Sequence, residues 1–189
     1  MRRRRDHAAD AAAHYEAGQA AAGLARHLEA GGALASVPAP GLALDPGETA
    51  YADVTCGMAR FYPTDVVYQQ GAGYFESHPT FGRQWVPNRR LDARRRQQAE
   101  AEAQAQWRDH TSARVVFTSD GLRINPAGAP ADWLPFDHVL LSGISVAAAR
   151  HELMLSYSVC APLLLAGQAA LWLSIAVRHL SPSTHAQEG

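Results

Sequence analysis

Hydrophobic and polar residues alternate at period two through TAYADVTCGMARFY (49–62). β-branched and aromatic side chains are frequent there and Pro63 ends the run, so the segment predicts a strand. DVVYQQG (65–71) predicts a second, short strand, whereas residues 75–90, with Phe75, Pro79, Phe81, Trp85 and Pro87, follow no period. ARVVFTSDGLRI (113–124) predicts two strands about a Ser119-Asp120-Gly121 turn, with Gly121 expected to take a positive φ. NPAGAPAD (125–132) then predicts a loop, and WLPFDHVLLSGISV (133–146) one strand or two short ones. ELMLSYSV (152–159) places Leu153, Leu155, Tyr157 and Val159 on one face and Met154 on the other, which is a strand pattern. LLLAGQAALWLSIAVRHL (163–180), after Pro162, predicts a helix by its length and composition.

Two further helices are predicted outside this strand-rich pattern. Residues 6–31 lack proline and are rich in Ala, Glu and Gln; Asp6 or Asp10 can cap the start and Gly31-Gly32 stop the end. Tyr15, Leu24 and Leu28 are its only large apolar side chains, which predicts thin packing. A strongly polar helix is expected at about 91–109, with Ala99, Ala103 and Trp107 as a narrow docking stripe and Asp92 placed to pair with Arg96. Three prolines in residues 34–48 read as a linker. The expected organisation is a helix and linker over 1–40, a domain over 41–180 with the polar helix inserted, and a disordered tail over 181–189.

Composition narrows the reading of these patterns. With 189 residues the chain can bury a core without metal or disulfide staples. Every one of the 17 Lys-or-Arg positions is Arg, a bias expected of a GC-rich bacterial genome, so arginine clusters are discounted as signals. The net charge of −1 argues against a nucleic-acid partner, although residues 83–114 carry eight arginines against four acids. Cys56 and Cys160 have no CxxC spacing; they predict two buried small side chains in a reducing cytoplasm, with a disulfide between them as the alternative. MRRRR lacks a following apolar region, which argues against a secretory signal and for a cytoplasmic location. Residues 153–177 carry no charge over a length sufficient to cross a bilayer. Pro162, Gly167, Gln168 and three serines divide the run, so a strand, a turn and a core-facing helix are expected; a membrane-associated segment is the alternative.

No catalytic motif emerges from the pattern. His151-Glu152 begins like HExxH, but the closing position is Leu155. His7 and His14 share a face of the first helix without a nearby third ligand, and neither a GxSxG elbow nor a phosphate loop is present. No metal and no cofactor is expected. RRLDARRR (89–96) concentrates Arg89, Arg90, Arg94, Arg95 and Arg96, a possible contact for an anion or an acidic partner, although a solvated helix start is the simpler reading. The four tryptophans read as core or interface rather than as one pocket.

LDPGETAYADV (44–54), RVVFTSDGLRI (114–124), Trp133 at a strand start, and LSYSV (155–159) followed by the 162–180 segment resemble a bacterial PH-like (GRAM-like) domain. The resemblance covers about 44–180. It implies an α+β fold: a strongly bent antiparallel sheet or partly open barrel, closed at one end by the C-terminal helix. The N-terminal helix lies outside the domain and the polar helix is an insertion. It also implies a non-catalytic interaction or adaptor module for an unknown protein or anionic surface. The competing readings are a small enzyme using Asp137-His138 in a pocket lined by Trp133 and Phe136, and a membrane-associated protein acting through 153–177.

Overall fold

The computed structural model describes residues 2–128 and 133–181, with side chains from residue 12 onward. Most of the expected tail, part of the loop at 125–132, and the side chains of MRRRR and His7 therefore lie outside the described residues. The fold is α+β, and it divides into two compact units, Met1–Phe61 with Trp107–Gly189, and Tyr62–Gln106.

The first unit begins with α1 (Arg2–Glu29), which stops where Gly31 N–H bonds Leu28 O and Gly32 N–H bonds His27 O. Ala17 and Ala21 are buried and Leu24 packs on the core. α1 lies in the same unit as the sheet, packed on the C-terminal helix, and Val37 N–H bonds Ala50 O, so the proline-rich segment runs against the first strand.

The strands are β1 (Ala50–Tyr62), β2 (Gly73–His78), β3 (Gly82–Pro87), β4 (Gln106–Thr118), β5 (Gly121–Pro126), β6 (Leu134–Asp137), β7 (Leu141–Ala147), β8 (Glu152–Tyr157) and β9 (Leu163–Ala166). Seven of them form one antiparallel sheet in the order β6-β5-β4-β1-β9-β8-β7. β6 and β7 are its edges, so among the described residues the sheet is open and does not close as a barrel. The period-two pattern sets its buried face: Val115, Phe117, Leu122, Ile124, Leu153, Leu155, Leu163 and Leu165 are fully buried. α3 (Ala169–Leu180) covers that face with Ala170, Leu173, Ala176 and Val177, at helical spacing.

Two sequence expectations need correction here. Residues 163–166 are strand, not helix: β9 lies between β1 and β8, where both neighbours take its backbone hydrogen bonds and Leu163 and Leu165 fill the core. The uncharged run 153–177 is thereby split among β8, β9 and α3, and among the described residues no helix is long and apolar enough to cross a membrane. Cys160 is exposed rather than buried, and both cysteines are free; burial pushes the Cys56 thiol up to about 11.

The second unit holds β2, β3 and α2 (Arg89–Ala103). The short strand expected at 65–71 is irregular, whereas the segment read as aperiodic forms the β2–β3 hairpin. α2 ends earlier than the composition suggests, because Gln106–Asp109 join β4. Ala99 and Ala103 are buried as the stripe predicts, but Trp107 belongs to the first unit and packs on Phe61. Asp92 does not pair with Arg96. Its carboxylate accepts Ala72 N–H at 2.7 Å, and Arg96 pairs with Glu100.

Candidate functional site

Two places bring chemistry-bearing side chains together. The first surrounds the β4–β5 turn. Thr118 accepts Gly121 N–H through its hydroxyl (3.1 Å) and donates to Glu48 Oε1 (2.6 Å). Glu48, the acid of the DPGE segment, also accepts Asp45 N–H and meets Arg123 Nη2 at 2.9 Å, with its side chain 1% exposed. Arg123 Nη1 bonds Asp137 at 2.8 Å. Burial opposes the Arg123 charge, but the Asp137 hydrogen bond and the charges of Glu48, Asp137 and Asp45 outweigh it and raise its pKa. Gly121 does not take the positive φ expected of it. It is required for another reason: a Cβ there would overlap Phe136 O and come within 2.8 Å of Asp137 Cα, so the small residue lets β6 pair closely.

Beside this knot lies a cleft of about 480 Å³, lined by Asp45, Ser119, Asp120, Arg123, Asp137, His138 and Val139. The expected Asp137-His138 dyad does not form there. Asp137 is engaged by Arg123, and His138 Nε2 lies 3.1 Å from Thr118 O, an acceptor only, so Nε2 carries the proton. Burial lowers the His138 pKa. Trp133 does not line the cleft; it lies against Arg114, which grips Asp53 through two hydrogen bonds and lowers the Asp53 pKa. Phe136 is in the core against Tyr157. In this cleft Asp137 and His138 are thus each engaged by a partner other than the other, Arg123 and Thr118 O respectively.

The other histidines make no ligand set: among the described residues no group of three His, Cys, Asp or Glu side chains could hold a metal. His151 is buried against His14 (ring centroids 4.0 Å apart), and Glu152 pairs with Arg150.

The second place is the unit Tyr62–Gln106. The hairpin register puts Gly73, Phe75, Trp85 and Arg83 on one face and Tyr74 and Val86 on the other. Trp85 lies over Gly73, where a Cβ would come within 2.5 Å of the indole, and meets Phe75 edge-on at 5.0 Å. Arg83 covers the Phe75 ring at 4.3 Å. Among the described residues both faces stay partly open: Tyr74, Phe75 and Trp85 are about half exposed, and Phe81, at the turn, is 70% exposed. Ala72 fastens the hairpin base to α2, since its N–H bonds Asp92 and its carbonyl accepts Asn88 N–H, the cap residue of the helix. The arginine block is thus held beside the aromatic hairpin. Of the five expected contact residues, Arg96 is paired with Glu100, while Arg89, Arg90, Arg94 and Arg95 make no ion pair among the described residues. The sequence reading found the arginines and missed Phe75, Phe81, Arg83 and Trp85. The alternation YFESH and RQWV, flanking a Pro-Thr-Phe-Gly turn, was the available signal.

No family model, curated protein or solved structure matches the chain.

Proposed function

We propose that this chain is a non-catalytic interaction module: a PH-like scaffold that presents the inserted unit, 62–106, to a partner. One observation carries the reading. Of the twelve large hydrophobic residues exposed among the described residues, seven (Val66, Val67, Tyr74, Phe75, Phe81, Trp85 and Leu91) fall in this single stretch of 45 residues. Scattered exposed apolar residues are ordinary, whereas a concentration beside unpaired arginines marks a contact surface. The engaged state of Asp137 and His138 supports the non-catalytic part.

The test compares tagged wild-type protein with Phe75→Ser/Phe81→Ser/Trp85→Ser in native lysate. Gel filtration and sedimentation should place the wild type in a larger assembly or particulate fraction and the variant free, with equal melting temperatures. Identical behaviour of the two would overturn the proposal.

A further inference from the structure

Resting on that reading, we propose that the partner of the 62–106 unit is an anionic lipid surface, with the β2–β3 hairpin entering the interface and the α2 arginines holding the headgroups.

The charge is complementary to such a surface. The unit carries six arginines against five acids, but all six arginines lie within residues 83–96, where the one acid, Asp92, is occupied by Ala72 N–H. Arg90 and Arg94 are four apart and share a side of α2. Arginines in the first turn oppose the helix dipole, a cost that an anionic surface offsets.

The distribution of apolar groups distinguishes lipid from the other partners such a surface could serve. Apolar side chains emerge from both faces of the hairpin, Phe75 and Trp85 on one and Tyr74 on the other, with Phe81 at the tip. Apolar groups on both faces and at the tip match a medium that surrounds the hairpin, as a lipid interface does. Single-stranded nucleic acid needs open aromatic faces on which bases stack. Here Arg83 occupies the Phe75 face, Trp85 lies on Gly73, and Val66 and Val67 (48% and 82% exposed) offer nothing to a base. Trp, Tyr and Phe flanked by Arg suit the headgroup boundary, where amphipathic rings and guanidinium groups find both media.

The test is flotation of the purified full chain with phosphatidylcholine vesicles, with and without about one third phosphatidylserine. The wild type should float with the anionic vesicles and much less with the neutral ones, and should be released in part by 0.5 M salt. Arg90→Gln/Arg94→Gln/Arg95→Gln should weaken anionic-vesicle binding about a hundredfold, at roughly fivefold per charge, and reduce the salt dependence. Phe81→Ser should weaken it about tenfold or more at every salt concentration, because burial of apolar area is not screened. Brominated lipid should quench tryptophan emission of the wild type, and Trp85→Phe should abolish the quenching; a tryptophan of merely structural role would not report bromine. If the wild type floats with neither vesicle, or binds single-stranded DNA or its own copies through the hairpin instead, the lipid inference fails. Should the hairpin variants then still release the protein from its assembly in lysate, the interaction reading stands without it. If those variants change nothing in lysate either, both fall.

Discussion

Replacing Arg123 by Leu tests the energetics of the polar knot that joins the segment before β1 to the β4–β5 turn. The guanidinium serves three carboxylates, but they are not equivalent. Asp45 is 3.9 Å away and its side chain is 79% exposed, so water screens that contact and its loss costs almost nothing. Asp137 is 42% exposed and can turn to solvent when the arginine is removed, which limits its share to about 1 kcal/mol or less. Glu48 dominates. Its side chain is 1% exposed, and without Arg123 its charge is left with one hydroxyl and one backbone N–H. Stranding a buried carboxylate in this way costs about 3–5 kcal/mol. Leu fills comparable volume, so little of the loss comes from packing.

That loss is a large part of the about 5–15 kcal/mol that holds a domain folded, and for this chain length it corresponds to a fall in Tm of about 10 °C or more. The assay is urea unfolding of wild type, Arg123→Leu, Glu48→Leu and the double variant. Removing both charges leaves no buried ion, and Thr118 Oγ1 can turn its proton to Gly121 O, 3.1 Å away. The double variant should therefore be more stable than the sum of the two losses predicts, with a coupling of about 2 kcal/mol. Added salt should not rescue Arg123→Leu, since the stranded charge is away from solvent. A loss under about 1 kcal/mol, or an additive cycle, would show that water already solvates Glu48 and would refute the argument.

Gly121→Ala and Gly121→Val should both destabilise by about 1–3 kcal/mol in the same urea assay, because the Cβ itself meets the β6 backbone; an Ala variant with an unmoved midpoint would mean that β6 does not lie so close. His138 and His151 both have pKa values below the ordinary histidine value, His138 through burial and His151 through burial and then the charge of His14. The unfolded chain consequently binds protons first as the pH falls through about 6.5, so Tm should be level near pH 8 and decline below pH 6.5, less steeply in His138→Gln; a Tm that holds or rises on acidification would contradict the burial of these rings.

The sheet was legible where large apolar residues alternate with polar ones along a strand. In 113–124 and 152–157 the alternation of large apolar residues reports the core directly, and these strands stand where the pattern puts them. The pattern failed for Leu163–Ala166 because a central strand of four residues leading into an apolar helix offers no period to separate the two. It named α1 as a thinly packed helix but not the face it packs with, because alanines bury little area each and the packing of Ala17 and Ala21 leaves no apolar stripe in the sequence. Glu48 and Thr118 were invisible as a pair: seventy positions separate them, and only the crossing of the turn over the segment before β1 brings them within 2.6 Å.

The proposed contact surface was half legible for a different physical reason. Charge clusters survive in one dimension, so the arginines at 89–96 could be named, whereas an exposed aromatic is indistinguishable from a core aromatic until its neighbours are known. Phe117 and Phe75 are the same residue type in strands of similar polarity; one is fully buried among Tyr51, His138 and Trp172, and the other is about half exposed. What separates them is that β4 has α3 over its sheet, while the described residues of β2–β3 expose both faces. A two-stranded hairpin is marginal alone. Here the cross-strand contacts among Gly73, Trp85, Phe75 and Arg83 are joined by the tie of Ala72 to Asp92 and Asn88 of the α2 start. On the proposed reading, a hairpin braced in this way has less conformational entropy to lose on binding than a free one, so an uncovered aromatic surface can serve as a contact.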